Sequence, residues 1–100
     1  MPEPLTTLAL ETSFRVPGLG VLAVPAAPEA EVLLAYALHT ALAITLIAEG
    51  QPPLALTGTV EELAHDGQPP RRTLLLDFDP GGPLLNGTRL HIGAALPTLY

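Results

Sequence analysis

The chain has 100 residues, 48% of them hydrophobic and only 14% charged, with a formal net charge of −6. A chain of this length closes one modest core, burying roughly 60–70% of the surface its unfolded form exposes. It contains no lysine and no cysteine, which excludes a Walker-type phosphate loop, Schiff-base chemistry, disulfides, thiolate catalysis and cysteine-type zinc sites.

Pro2, Glu3 and Pro4 follow Met1 with no basic segment and no early apolar run. The reading is a cytoplasmic chain without an export signal. From Leu5 to Val16 the positions Leu8, Leu10, Thr12, Phe14 and Val16 alternate with Thr7, Ala9, Glu11, Ser13 and Arg15. Period two predicts a half-buried strand. Pro17-Gly18-Leu19-Gly20 supplies a turn, because proline presets φ and glycine accepts positive φ. Val21 to Val24 is a short apolar strand stopped by Pro25 and Pro28, so the two strands form a hairpin.

Glu29 to His39 carries helix formers with acids near its start, and Leu33, Leu34 and Leu38 suit one apolar face. One or two helical turns are expected within residues 29–39. Residues 32–48 hold no formally charged side chain. As a helix they would span about 26 Å, short of the hydrocarbon core, and acids rather than basic anchors flank them. The expectation is no membrane span. From Ala41 to Ala48 the alternation of Leu42, Ile44 and Leu46 with Ala43 and Thr45 predicts a strand, with a longer helix as the competing option.

Glu49 to Pro53 is a turn. Leu54, Leu56, Gly58 and Val60 then alternate with Ala55, Thr57, Thr59 and Glu61, completing a second hairpin. A loop from Ala64 to Pro70 leads into a fifth strand, Arg72 to Asp79, with Leu74, Leu76 and Phe78 on one side. Asp79-Pro80-Gly81-Gly82-Pro83 breaks it, Asn86-Gly87 turns, and Thr88 to Ile92 is the sixth strand, with Thr88, Leu90 and Ile92 inward. Six short strands avoid exposed edges by closing. The predicted fold is all-β, a small six-stranded closed Greek-key barrel as a single domain over residues 1–100, with one short helical turn near 29–39.

The chemistry-bearing residues are few. His39, His65 and His91 lie in three different elements without metal-type spacing, so no metal or cofactor is expected. Asp77-Phe78-Asp79-Pro80-Gly81-Gly82 opens like a calcium loop but lacks the closing acid. Asp77 and Asp79, two apart on a strand, would share a face about 7 Å apart and point to water. Ser13, the sole serine, has no nucleophile-elbow context. No acid, base and nucleophile form a set, so the chain reads as non-enzymatic. Ten acids against four arginines (Arg15, Arg71, Arg72 and Arg89) argue against nucleic-acid and anionic-membrane partners. Alanine and leucine richness, with arginine used in place of lysine, suits a GC-rich bacterial genome.

Two resemblances are carried by short motifs. Phe14-Arg15-Val16-Pro17-Gly18-Leu19-Gly20-Val21-Leu22 resembles the opening hairpin of the second domain of translation elongation factor Tu and its relatives. Gly58-Thr59-Val60-Glu61 and Gly87-Thr88-Arg89-Leu90 resemble later strands of that domain. The resemblance spans residues 8–93 and implies a six-stranded Greek-key barrel, found also as small free-standing bacterial proteins. Leu19 stands where that pattern has arginine, and His39-Thr40 where it has Gly-Asp. The basic surface of a tRNA or ribosome contact is missing, so the barrel carries over and the translational role does not.

The alternative is the PilZ barrel, which binds a cyclic dinucleotide through R-x-x-x-R and D/N-x-S/A-x-x-G. Asp77, Asp79 and Gly82 fit the second spacing, with Asp79 at the small-residue position, whereas Arg71 and Arg72 are adjacent and do not make the first. Two functions are therefore expected in order. The first is an interaction module that binds another protein or itself. The second is a small-molecule or nucleotide-binding barrel using Arg71, Arg72, Asp77, Asp79 and Gly82.

Overall fold

The computed structural model describes residues 6–64, 66–80, 84 and 87–96. Six strands run in the order expected: β1 Thr6–Val16, β2 Gly20–Pro25, β3 Ala41–Ile47, β4 Leu54–Leu63, β5 Arg71–Leu76 and β6 Arg89–Ala95. They close into an all-antiparallel barrel with neighbour order β1-β2-β5-β4-β3-β6. The inward set of the later strands follows the alternation in the sequence. Leu42, Ile44, Val60, Leu74, Leu76, Leu90 and Ile92 are buried together with Leu8 and Ala23.

Because every neighbouring pair is antiparallel, the odd-numbered strands begin at the end of the barrel where the even-numbered strands finish. A short helix α1 (Ala27–Ala30) and a 3-10 turn (Glu31–Ala35) join β2 to β3 at that end. This helical end is tied to β1. The Ala26 N–H donates to the Ala9 carbonyl at 2.9 Å, and the Glu29 carboxylate accepts from the Ala9 N–H at 3.0 Å.

The helical segment corrects one expectation. Leu33, Leu34 and Leu38 do not share a buried face: Leu33 enters the core, while Leu34 is 63% and Leu38 40% exposed. A 3-10 turn advances three residues per turn, and Tyr36 already has extended dihedrals, so the three leucines never line up. Residues 32–48 divide between this turn and β3, and no helix among the described residues is long and apolar enough to cross a membrane.

The alternation of β1 is also broken. Leu10 pairs with Pro25 but Thr12 pairs with Val24, so Glu11 is an extra residue, a β-bulge. Before it, Leu8 is buried and Leu10 packs on the core. Beyond it, Ser13 pairs with the buried Ala23, and Phe14 is turned outward at 48% exposure. One inserted residue flips every later side chain to the other face.

β5 stops at Leu76 rather than Asp79. Gly20 holds the crossing there: at φ 133, a Cβ on it would run into the Leu76 carbonyl oxygen. Asp77 and Asp79 therefore lie beyond the strand and do not share a strand face. Thr88 is buried as expected, just ahead of β6.

Candidate binding surfaces

The sequence-predicted arginines open β5 at the helical end. Arg71 donates to the Glu11 carboxylate at 2.6 Å, and Arg72 to Glu62 at 2.9 Å. The bulge presents Glu11 to Arg71, and strand register places Glu62 opposite Arg72. Both pairs are partly solvated, and such pairs contribute about 0–1 kcal/mol. Arg72 Nε is buried without a hydrogen-bond partner.

Glu11, Arg71 and Arg72 border a cleft of about 450 Å³ between the helical segment, β1 and the β4–β5 connection. Its apolar lining comes from Val24, Ala30, Leu34, Leu63, Pro69 and Pro70, and Glu31 adds a second carboxylate beside Glu11 and the arginines.

Asp77 and Asp79 sit at the opposite end of β5, a strand of six residues and so about 20 Å long. They line a separate hollow of about 290 Å³ with Val16, Leu19 and Phe78. Asp79 takes two bonds from Arg15, at 3.0 Å from Nε and 2.7 Å from Nη2. That bonding, and the carboxylate charge behind it, pushes the Arg15 guanidinium above its ordinary pKa. Gly82 lies outside the described residues. The structure therefore gathers Arg71 with Arg72, and Asp77 with Asp79, but does not bring the two groups together.

His39 faces Glu61 at 3.1 Å. Among the described residues no three His, Cys, Asp or Glu side chains gather into a possible metal site.

A third surface was not legible from the sequence. The outer face of the β1–β2 hairpin carries Phe14 and Val16 on one strand and Gly20 and Leu22 on the other, while Thr12 and the buried Val24, on the same side, belong to the cleft at the helical end. None of these is charged. Leu22 continues onto Leu75 of β5, and Leu19 at the hairpin tip is 62% exposed. Arg15 points to the opposite face of β1 and is held by Asp79. Only the bulge at Glu11 reveals this surface, and nothing in the residue types around Glu11 marks a bulge.

Comparison with family models, with curated proteins and with solved structures finds no match to this chain.

Proposed function

We propose that this chain is a non-enzymatic interaction barrel that associates with a second copy of itself through the outer face of the β1–β2 hairpin. In this reading it is a cytoplasmic bacterial protein. Its barrel is of the elongation-factor-Tu second-domain type, a likeness supported by Gly20 at the hairpin crossing and by the order of strands. One observation carries the proposal. The bulge at Glu11 turns Phe14 and Val16 out of the core and sets them beside Leu22 on a face without charge. A small chain gains stability by burying such side chains, so exposing them is a cost that association offsets.

A second copy suits this face better than an anionic or polar partner. Each copy carries a net charge of −6, so two copies repel except where no acid stands. Association should therefore strengthen as salt screens that repulsion. Sedimentation equilibrium across protein concentration and ionic strength tests this. A dimer that tightens with salt, and that Phe14→Asp converts to monomer, is the expected result. Leu54→Asp, on the exposed start of β4, should leave the dimer intact. A strict monomer up to millimolar protein overturns the proposal, as does a dimer indifferent to Phe14→Asp.

The nucleotide-binding reading has less geometric support. Arg71 and Arg72 already face carboxylates, and Asp77 and Asp79 stand at the other end of β5. A nucleotide that raised the Tm, and lost that effect on Arg71→Ala with Arg72→Ala, would favour it over self-association.

A further inference from the structure

We infer that the cleft at the helical end is a binding site for a peptide segment that places an arginine or lysine next to an aliphatic side chain. This inference is independent of self-association. It rests on the charge balance of the cleft and on its apolar lining. Arg71 is matched by Glu11 and Arg72 by Glu62, so the two guanidinium groups are neutralised within the chain. Glu31, which also lines the cleft, has no ion-pair partner among the described residues. The unmatched charge is therefore negative.

An anionic guest meets the carboxylates of Glu11 and Glu31 in the lining, and two guanidinium groups whose charge Glu11 and Glu62 already balance. A cationic guest pairs with Glu31 and leaves both internal pairs intact. The net charge of −6 adds a long-range attraction for cations.

The aliphatic requirement comes from the wall. Leu34 is 63% exposed at the rim, and Leu63, Pro69 and Pro70 continue the apolar surface. The volume, about 450 Å³, is within the range of small-ligand sites and holds two side chains of this kind. Arginine and lysine suit such a cleft because their methylene stems lie along apolar surface while the charged head reaches a carboxylate.

Titration of the ¹⁵N-labelled protein with acetyl-leucyl-arginine amide, followed by amide chemical shifts, tests the site. Saturable shifts at Leu34, Leu63 and Arg71, weakening as salt rises, are expected. Glu31→Gln should lower the affinity roughly five-fold, the upper range for one solvated ion pair. Leu34→Ser should lower it as well, with the dispersion of the spectrum showing that the barrel stays folded. Acetyl-leucyl-glutamate amide should leave these amides unmoved. Equal shifts with the acidic peptide, an affinity unchanged by Glu31→Gln, or no saturable shift in the cleft overturns the inference. Repeating the titration on Phe14→Asp separates this site from the hairpin face: cleft shifts that persist there support the site whatever the oligomeric state, and shifts lost there overturn it.

Discussion

The hydroxyl oxygen of Ser13 accepts a hydrogen bond from the backbone N–H of Leu84 at 2.9 Å, joining β1 to the segment between β5 and β6. β1 pairs with β6 only over Thr6–Ala9, so beyond Ala9 this side of β1 has no ladder partner among the described strands. Ser13 supplies a substitute from a side chain, because the bulge at Glu11 has given it the inner position and sent Phe14 outside.

The stability consequences of Ser13 and Phe14 therefore reverse what their hydrophobicity suggests. Ser13→Ala leaves the part-buried Leu84 N–H without its acceptor and should cost about 1 kcal/mol. Phe14→Ser, at a half-exposed site, should cost less, about 0.5 kcal/mol when measured on the monomer. Urea denaturation of the two variants measures both. The opposite order would place Phe14 in the core.

Gly20 and Gly18 both have positive φ, at 133° and 81°, but differ in what surrounds them. A Cβ at Gly18 meets nothing within 4 Å, whereas at Gly20 it collides with the Leu76 carbonyl, a backbone atom that cannot step aside. Gly18→Ala should cost about 1 kcal/mol, from the dihedral alone. Gly20→Ala should cost more than about 3 kcal/mol or prevent closure between β2 and β5. Thermal unfolding followed by circular dichroism distinguishes them.

His39 has φ 71, the left-handed region. Its N–H donates to the Val60 carbonyl at 2.6 Å, and the Thr40 carbonyl accepts from the Val60 N–H at 2.9 Å. This fixes the backbone where the chain enters β3. The dihedral is one that glycine adopts without strain. A left-handed L-residue costs about 1–2 kcal/mol, and the flexibility of glycine returns about half of that. His39→Gly should therefore stabilise the barrel by up to about 1 kcal/mol. His39→Val, β-branched and worse in this region, should destabilise it by at least about 1 kcal/mol. Denaturant midpoints for the pair give the sign of each.

These residues also show what could be read from the chain. β3 and β4 keep an unbroken alternation on their core-facing positions, and β6 keeps it through Ile92, ahead of a register shift against β3, so these faces followed from the sequence. β1 did not, because a bulge is a count of residues against the partner strand and no residue type at Glu11 announces it. The short helical turn near residues 29–39 is present, but the face expected of Leu33, Leu34 and Leu38 failed because it assumed an α-helical period that a 3-10 turn does not have. The candidate site was half legible. Arg71 and Arg72 do border a cleft, but β5 stands between them and Asp77. Of the carboxylates that face the arginines, Glu62 stands only ten residues before Arg72 on the adjoining strand β4, whereas Glu11 comes from β1, on the far side of β2 and 60 residues from Arg71, brought near only by assembly of the barrel. Arg15 and Asp79 meet for the same reason, 64 residues apart.

Thr73 gives the sharpest test of how tightly the wall is closed. It is 0% exposed on β5, opposite Glu61, and its hydroxyl is buried without a hydrogen-bond partner among the described residues. A buried hydroxyl that gave up water and gained nothing costs about 1–3 kcal/mol. Valine has nearly the same shape, keeps the β-branch that suits a strand and lacks the polar atom. Thr73→Val should stabilise the barrel by about 1 kcal/mol, which for a domain of this size raises Tm by about 4–8 °C. Thr73→Ala removes the unsatisfied hydroxyl too, but also a methyl group from a closed site. The void it leaves costs about as much as the hydroxyl did, so its Tm should stay near or below the parent value. Calorimetry on the two variants separates the effects. A lower Tm for Thr73→Val would mean that the hydroxyl has a partner, and the wall over β5 would then be wetter than its packing implies.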